Sequence, residues 1–311
     1  MNLQRPEIGD TSSIRFDGQV AIVTGAGSGL GRCHALALAA RGAALVVNDS
    51  GMATGACGGR VAAAEQVAAE IRRAGGLAIA STAAVTDPPA VDDMVALAVN
   101  EWGRVDILVN HAGVQRDKTF TNLSIDDFRS ILEVHLMGAF HCTKSVWEIM
   151  KAQRYGRIVM GTSYSGLFGS FGQSNDGAAK MALVGLMQSL AIEAQQYGIR
   201  VNCLAPTAAP GSGDAELTSE QMFTPESVSP GLLYLVSRAA PTKTILCAGG
   251  GAFSCSNITL TDGVFVGSGP GAADSLAQSA GLLCDREGER IPPSGIEPSF
   301  FKASSARYAQ A

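Results

Sequence analysis

Short apolar runs alternate with helical stretches over about 250 residues, and this alternation constrains the fold more than any other feature of the chain. The predicted strands are residues 20–24, 44–48, 77–81, 105–110, 157–161, 200–204 and 244–248. The predicted helices are residues 29–41, 60–74, 89–102, 125–153, 174–197 and 225–236. Because a helix separates each pair of strands, neighbouring strands are expected to run parallel, with helices on both faces. The sequence therefore predicts an α/β fold with a single Rossmann-type, doubly wound parallel sheet of about seven strands.

The chain is predicted to have three parts: an N-terminal arm (residues 1–14), one central domain (residues 15–265) and a C-terminal extension (residues 266–311). In the extension Gly, Ser, Ala and Pro dominate, and the periodic apolar pattern stops. Two interpretations fit this stretch equally well: a tail ordered by packing on a neighbouring subunit, or a disordered terminus. No internal repeat and no second domain is indicated.

Composition excludes several classes of partner. The chain of 311 residues is 46% hydrophobic, 16% charged and carries a formal net charge of -5, so neither nucleic acid nor an anionic membrane surface is an expected partner. No run approaches the roughly 18 apolar residues that a membrane helix needs. The seven cysteines form no CxxC pair, which favours free thiols in a reducing compartment, the cytoplasm by default, and no metal site.

A glycine-rich turn follows the first predicted strand and opens the first helix. Such a turn lets the backbone approach a pyrophosphate, while the helix N-terminus offers unpaired N–H groups. The residues predicted to contact the phosphates are Gly25, Ser28, Gly29, Leu30 and Gly31. Asp49 ends the second strand, where its carboxylate can accept hydrogen bonds from ribose hydroxyls and would repel a 2′-phosphate. This pattern predicts NAD as the cofactor, against the alternative of a turn that only permits close helix–strand packing.

Further along the chain, Asn110-His111-Ala112-Gly113, Ser163 and Lys180 complete a recognisable set with the glycine turn. Together they resemble the short-chain dehydrogenase/reductase family. The resemblance implies that Ser163 holds the substrate oxygen and that Lys180 binds the nicotinamide ribose and assists the proton donor. It also implies cofactor contacts, some through the backbone, by Val85, Asn110, Ala112, Gly113, Lys180 and Thr207.

The residue expected to donate the proton is replaced. The family has a Tyr 13 positions after the serine and four before the lysine, and here that position is Asp176. An unperturbed carboxyl group has a pKa of about 3.9 against about 10 for a phenol, so Asp is expected to be ionised at neutral pH. Such a group cannot donate a proton to a carbonyl and is a weak base toward an alcohol.

Other groups could carry the proton instead. Tyr164 directly follows Ser163 and is a candidate donor. His135 stands where most family members have an Asn that anchors a water molecule, and it is equally compatible with a helix histidine bonded to the main chain. His111 replaces an Asn of the family motif, and a buried histidine is favoured there over a catalytic one.

Several segments resemble one branch of the family, the (3R)-hydroxyacyl-CoA dehydrogenase (17β-hydroxysteroid dehydrogenase type 4) domain of multifunctional enzyme type 2. They include Val134-His135-Leu136, Tyr155-Gly156-Arg157-Ile158-Val159-Met160 and Phe171-Gly172-Gln173-Ser174-Asn175. This resemblance implies a small-molecule substrate, namely a hydroxyacyl-CoA, a steroid or a related secondary alcohol or ketone. It also implies a homodimer or homotetramer. The stretch between Ala208 and Thr224, where the family places a lid over the substrate, is small and polar.

Three functions remain open from the sequence. The first is an NAD-dependent oxidoreductase with an atypical active site that lacks the Tyr proton donor. The second is a non-redox enzyme on the same scaffold, such as a lyase, dehydratase or cyclase, with Asp176 as a base. The third is a catalytically impaired protein that binds NAD without turning over a substrate.

Overall fold

The fold is built around one eight-stranded sheet, seen in a computed structural model that describes residues 13–54, 60–207 and 224–295. Its strands are β1 (Val20–Thr24), β2 (Ala44–Asn48), β5 (Ala78–Ser81), β6 (Ile107–Asn110), β7 (Gly156–Gly161), β8 (Ile199–Pro206), β9 (Ile245–Gly249) and β10 (Ala252–Ser256). Two short strands, β3 (Met52–Thr54) and β4 (Arg60–Ala62), pair separately as an antiparallel hairpin. The predicted α/β architecture is confirmed.

The strand order of the large sheet is β10-β9-β8-β7-β6-β1-β2-β5. β1 pairs in parallel with β2 on one side and with β6 on the other, with Ala21 opposite both Leu45 and Ile107. The chain therefore winds outward in both directions from β1 and β6. In such a sheet the crevice beyond the carboxyl ends of the two central strands is where ligands bind.

Helices cover both faces of the sheet, as predicted. They are α1 (Gly29–Ala39), α2 (Ala63–Arg73), α3 (Pro88–Trp102), α4 (Ile125–Leu132), α5 (Gly138–Gln153), α6 (Tyr164–Phe168), α7 (Ser174–Ala194) and α8 (Ser229–Val236). Alternate residues of the central strands enter two separate cores. Ile22 and Leu108 pack under one layer of helices, whereas Val23 and Val109 pack under the other. Burial on both faces explains why these strands are continuous apolar runs rather than alternating ones.

The prediction of seven strands was one short. β10 follows β9 after Gly250 and Gly251, whose φ angles of 57° and 77° suit a tight two-residue hairpin. A connection this short can only join antiparallel strands. β10 was missed because most of its residues are exposed, so its sequence lacks the apolar run that marks the buried strands.

Two predicted helices also differ from the structure. The helix predicted from residue 60 begins at Ala63, because β4 occupies the three residues before it. The single helix predicted over residues 125–153 is interrupted by a π-helical segment, Glu133–Met137, between α4 and α5. That segment carries His135. The segment is one turn long with α-helix on both sides, so the sequence reads as helix throughout and does not reveal it.

The chain divides into two compact units by its internal contacts, one ending at Cys255 and one beginning at Ser256. The second unit contains α9 (Ala272–Gln278) and α10 (Ala280–Leu283), where no periodic pattern was recognised. The predicted boundaries of the arm and the extension stay predictions. Most of the predicted lid lies outside the described residues. Within the described parts of the chain, no helix is long and apolar enough to cross a membrane.

Candidate active site

The glycine turn after β1 brings two backbone segments into contact. A Cβ atom on Gly31 would lie 2.1 Å from the carbonyl oxygen of Gly25, and one on Gly25 would lie 2.8 Å from Cα of Ala112. Gly25 also has a φ of +66°, which disfavours any other residue. Only glycines therefore allow the turn to close this tightly over the start of α1.

The N-terminus of α1 is available to an anion. Its N-cap residue, Ser28, makes no side-chain capping bond, and the first turn contains no acidic residue. Leu30 is half-buried and packs on the core, so its backbone rather than its side chain faces the turn. The unpaired N–H groups and the helix dipole are suited to a phosphate at this end.

Asp49 lies at the carboxyl end of β2, next to the turn. Its Oδ2 accepts a hydrogen bond from the backbone N–H of Gly27 at 3.0 Å, and its Oδ1 accepts one from Gly51 at 2.7 Å. The carboxylate therefore holds the turn in place while it remains partly exposed. It lines a cleft of about 140 Å³ together with Gly25, Val85, Ala112, Gly113 and other backbone-exposed residues. These residues fit the adenosine half of a dinucleotide.

The segment after β6 is attached to the turn by Thr24. The Thr24 hydroxyl accepts hydrogen bonds from the backbone N–H groups of His111 and Ala112, at 3.0 and 3.1 Å. Asn110 donates to the Thr143 hydroxyl at 3.0 Å, while its buried Oδ1 has no hydrogen-bond partner among the described residues. Burial is the main cause that lowers the pKa of His111 well below its ordinary value. A neutral ring at this position agrees with the structural role favoured from the sequence.

Lys180, on α7, lies half-buried at the carboxyl end of β7. Its Nζ donates a hydrogen bond to the carbonyl oxygen of Gly161 at 2.8 Å. Burial lowers the pKa of Lys180, and the negative charge of Asp176 opposes that shift. The ammonium group thus faces a small polar niche that also contains Asn110 and His135.

Asp176 is the centre of a hydrogen-bond cluster. Its Oδ2 accepts hydrogen bonds from the hydroxyls of Ser165, at 2.8 Å, and Ser163, at 3.1 Å. The two serine oxygens are themselves 2.8 Å apart. Its other oxygen, Oδ1, lies 3.4 Å from Nδ1 of His135. The structure therefore brings together three of the predicted catalytic residues, Ser163, Asp176 and His135, around one carboxylate.

Ser165 was not among the residues predicted from the sequence. It belongs to the first turn of α6, and Ser163 is the N-cap of the same helix, where its hydroxyl accepts from the N–H of Gly166 at 3.1 Å. This local geometry places both hydroxyls on the side of Asp176. The sequence pattern Ser-x-Ser at the start of a short helix could have drawn attention to Ser165. The pattern alone indicates no catalytic role, because it does not show that an acidic side chain lies opposite.

His135 is held from both sides. Its Nε2 lies 2.9 Å from the backbone nitrogen of Val114 and its Nδ1 faces Asp176. Nε2 also lies 3.0 Å from the carbonyl oxygen of Val114, so Nε2 has a partner in either tautomer. We assign the proton to Nδ1, because Nδ1–H then points to the Asp176 carboxylate, whereas the other tautomer would place a lone pair of Nδ1 against it. Burial, with a further contribution from Lys180, lowers the pKa of His135 to about 4 despite the opposing effect of Asp176. The ring is thus neutral at pH 7.

The remaining predicted residues have other contacts. The Tyr164 ring packs against Phe168, with ring centroids 5.5 Å apart. Burial raises the pKa of the Cys247 thiol, and hydrogen bonds with Tyr164 and Ser254 oppose that rise. The Tyr164 side chain is therefore engaged with Cys247 on β9. The backbone N–H of Thr207 donates to the carbonyl of Ala248 at 2.8 Å, which fixes the end of β8.

Two further features bear on the sequence predictions. No group of three or more His, Cys, Asp or Glu side chains suited to a metal ion occurs in the part of the chain that the structure describes. The six described cysteines are free, four of them buried: Cys33, Cys142, Cys203, Cys247, Cys255 and Cys284. Cys57 lies outside the described residues.

Comparison with known proteins places this arrangement in context. Residues 19–221 match the family described as short chain dehydrogenase. A short-chain type dehydrogenase/reductase of Mycobacterium tuberculosis is 40% identical over 276 residues, which is 88% of this chain and 96% of that protein. Peroxisomal multifunctional enzyme type 2 of Mus musculus is 44% identical over 226 residues, covering 72% of this chain but only 30% of the enzyme.

A solved structure also matches the fold. It is a 7α-hydroxysteroid dehydrogenase complexed with NADH and 7-oxo glycochenodeoxycholic acid, with a TM-score of 0.67 and 30% sequence identity. The match covers 76% of this chain and 95% of that one. The crevice beyond β1 and β6 thus has a counterpart in a structure that holds a nicotinamide cofactor.

Proposed function

The chain belongs to the short-chain dehydrogenase/reductase family, and from this premise we propose that it is an NAD-dependent oxidoreductase acting on a secondary alcohol or ketone. The substrate is a hydroxyacyl-CoA, a steroid or a related small molecule. The observation that carries the proposal is that two cavities share Ala112 and Val134 as lining residues: the glycine turn and Asp49 line one, and Lys180 lines the other. Ser163 lies beside the second cavity, in contact with Asp176 one helical turn before Lys180. A cofactor seated on the turn would extend toward Lys180 and Ser163.

The preference for NAD over NADP follows from Asp49. Its carboxylate already accepts from two backbone N–H groups, yet each oxygen retains an acceptor position for a ribose hydroxyl. A 2′-phosphate at the same position would meet a like charge. The NADH in the structure of the related 7α-hydroxysteroid dehydrogenase supports the same class of cofactor.

The catalytic end would orient the substrate beside the cofactor. A bound nicotinamide ring supplies the hydride acceptor or donor. Lys180 would hold the ribose next to this ring, and Ser163 would contact the substrate oxygen. We expect the proton that accompanies hydride transfer to pass through the cluster of Ser163, Ser165, Asp176 and His135, because these groups lie in contact with one another, whereas the Tyr164 ring packs against Phe168. The active site is thus atypical in its proton path rather than in its cofactor binding.

The contact between His135 and Asp176 supports a second candidate, a non-redox enzyme. A carboxylate paired with a neutral imidazole can act as a base on an acidic C–H bond, as a lyase, dehydratase or cyclase requires. In that case NAD would be structural. A protein that binds NAD without catalysis is the remaining alternative, and it would lack turnover of either kind.

One assay separates these candidates. NADH formation is followed at pH 7.5 with a panel of (3R)-hydroxyacyl-CoA thioesters, hydroxysteroids and simple secondary alcohols, and NAD binding is measured by calorimetry. We expect NAD to bind and at least one alcohol to be oxidised. Binding of NAD without turnover of any panel member would refute the oxidoreductase, and substrate loss without a change in NADH absorbance would favour the non-redox enzyme.

Two further expectations stay proposals. The chain forms a homodimer or homotetramer, as the resemblance implies, which sedimentation velocity would test. A cytoplasmic location rests on the free thiols, while the mouse relative is named as peroxisomal. Fractionation of cells that express the tagged protein would decide between the two compartments.

A further inference from the structure

We propose that the Asp176 cluster reverses the hydrogen-bond polarity of the substrate site, so that the site recognises a hydroxyl group as donor rather than a carbonyl group as acceptor. This inference rests on the proposed function, which leaves open whether the substrate is a secondary alcohol or a ketone. It assigns the alcohol as the preferred ligand. Its basis is an inventory of the protons and lone pairs on the two serine hydroxyls.

Each serine hydroxyl has one proton to donate and two lone pairs to accept with. An ionised carboxylate only accepts, so every contact with Asp176 must be donated by its neighbour. The distances of 2.8 Å from Ser163 to Ser165 and 2.8 Å from Ser165 to Asp176 favour a chain in which Ser163 donates to Ser165 and Ser165 donates to Oδ2. The longer contact from Ser163 to Oδ2, at 3.1 Å, is the alternative direction for the Ser163 proton.

The two serine protons can make only two of these three contacts at a time, and in each arrangement that makes two of them the Ser163 proton points into the cluster. One lone pair of Ser163 accepts from the N–H of Gly166. In the favoured chain, a single acceptor position on Ser163 is left for the substrate. A ketone oxygen offers only lone pairs and would face a lone pair, whereas an alcohol can donate its proton to Ser163. Tyr in place of Asp176 would present a donor at this point, so the reversal is a property of the carboxylate.

The same chain conducts the proton of an oxidation. In the proposed function the carbinol C–H bond would break and its electron pair would pass as hydride to an oxidised nicotinamide, so the carbon would be oxidised and the cofactor reduced. The substrate O–H proton moves to Ser163, the Ser163 proton to Ser165, and the Ser165 proton to Oδ2 of Asp176. The resulting carboxylic acid then releases its proton to water. Ser165 is accordingly a positioning residue that connects Ser163 to the acceptor.

His135 positions the carboxylate from the opposite side. With Nε2 accepting from the N–H of Val114, its Nδ1–H points to Oδ1. This leaves Oδ2 for the two serines. Asn175 fixes the backbone at the same place, because its side chain accepts from the N–H of Asp176 and donates to the carbonyl of Arg116.

The polarity is tested first without cofactor or substrate. Infrared difference spectra between the full-length protein and Asp176→Asn isolate the stretching bands of the Asp176 side chain at pH 7.5. We expect the bands of an ionised carboxylate, shifted in Ser165→Ala because one donor is lost. Ser163→Ala provides a second variant if Ser165→Ala does not fold. A protonated carboxyl band, or bands that neither serine variant shifts, would overturn the proposal.

Ligand binding is tested next, with ADP-ribose filling the nucleotide site so that no hydride can be transferred. Calorimetry compares (3R)-hydroxybutyryl-CoA with acetoacetyl-CoA, and oestradiol with oestrone. In whichever of the two pairs binds, we expect the alcohol to bind about tenfold more tightly than the corresponding ketone. This factor is the usual contribution of one hydrogen bond to affinity. Asp176→Leu should abolish this preference because it frees the serine protons, while Asp126→Leu, on the exposed side of α4, should retain it.

A ketone that binds the unaltered protein as tightly as its alcohol overturns the proposal. If none of the four ligands binds, the substrate class of the proposed function is contradicted, and the infrared spectra alone decide the polarity. The failure of one proposal is in this way distinguishable from the failure of the other.

Discussion

The two ends of the crevice differ in the groups that form them: backbone contacts shape one end, and side-chain contacts shape the other. At the nucleotide end the geometry depends on backbone: Gly25 and Gly31 pack against each other, and the Asp49 carboxylate accepts from main-chain N–H groups. At the catalytic end it depends on side chains, four of which meet at Asp176 counting Asp176 itself. In the proposed function, replacing one side chain should change the chemistry of the second end without disturbing the first. We therefore expect cofactor binding and proton transfer to be separable.

The strongest challenge to the nucleotide end is Gly31→Ala. The added Cβ would lie 2.1 Å from a backbone oxygen, so either the turn or α1 has to move. We expect a cost of about 3 kcal/mol, or more than a hundredfold in NAD affinity measured by calorimetry. Gly185→Ala on α7 is the matched control, since a Cβ there meets nothing within 4 Å. Unchanged NAD binding by Gly31→Ala would show that the cofactor does not use this turn.

The catalytic end is probed most directly by Asp176→Tyr, which restores the donor that the family uses. General acid–base catalysis contributes about a hundredfold or more, so we expect turnover of the best panel substrate to rise by about that factor. NAD affinity should stay within about twofold, because the nucleotide end is unaltered. Lower turnover in this variant would indicate that the Asp176 cluster carries the proton more effectively than a phenol does at this position.

Buried histidines near the nucleotide end make folding sensitive to acid. Burial lowers the pKa of His34 to about 4 from an ordinary value of 6.5. In the unfolded chain the His34 imidazole binds a proton near pH 6.5, whereas in the folded protein it binds one only near pH 4. The stabilisation is therefore complete above pH 6.5 and is lost as the pH falls from 6.5 toward 4. Between pH 7.5 and pH 5 we expect His34 alone to remove about 2 kcal/mol from the free energy of unfolding.

His34→Asn isolates this contribution. In the unaltered protein, Nδ1 of His34 lies 3.0 Å from the Ser229 hydroxyl oxygen. The side-chain oxygen of Asn can take the place of Nδ1 in this contact, and the Asn side chain does not titrate. Urea denaturation at the two pH values should show a dependence smaller by about 2 kcal/mol in the variant. An equal pH dependence in both proteins would mean that the His34 ring is accessible to protons in the folded state.

The same division between backbone and side chain decides how much of the molecule the sequence could predict. The apolar runs located seven strands, and the glycine spacing located the turn, because each pattern repeats over neighbouring residues. β10 was missed because it is exposed, and the π-helical segment was missed because it is one turn long between two α-helices. Patterns along the chain therefore predict what adjacent residues determine together.

The catalytic cluster could not be predicted in full, because the number of residues between two side chains does not give the distance between them in the fold. Asp176 could be identified as an unusual residue, but its contact with Ser165 joins α6 to α7, and its contact with His135 depends on the π-helical segment. Tyr164 was a candidate donor from the sequence, and its place beside Phe168 could not be read from the spacing. Side-chain direction across a tertiary contact was the missing information.

The smallest expected effect concerns Asp49 and sharpens the comparison within the nucleotide end itself. Asp49→Asn removes the charge and keeps one acceptor oxygen, so the ratio of NADP to NAD affinity should rise about tenfold, as expected for one like-charge contact near the surface. Asp49→Ala also removes the hydrogen bonds to Gly27 and Gly51, at 3.0 and 2.7 Å, and should weaken both cofactors by loosening the turn. Calorimetry with NAD and NADP distinguishes the effect of the Asp49 charge on the 2′-phosphate from the effect of its hydrogen bonds on the turn. If Asn and Ala behave alike, the carboxylate serves only to hold the turn, and the preference for NAD has another origin.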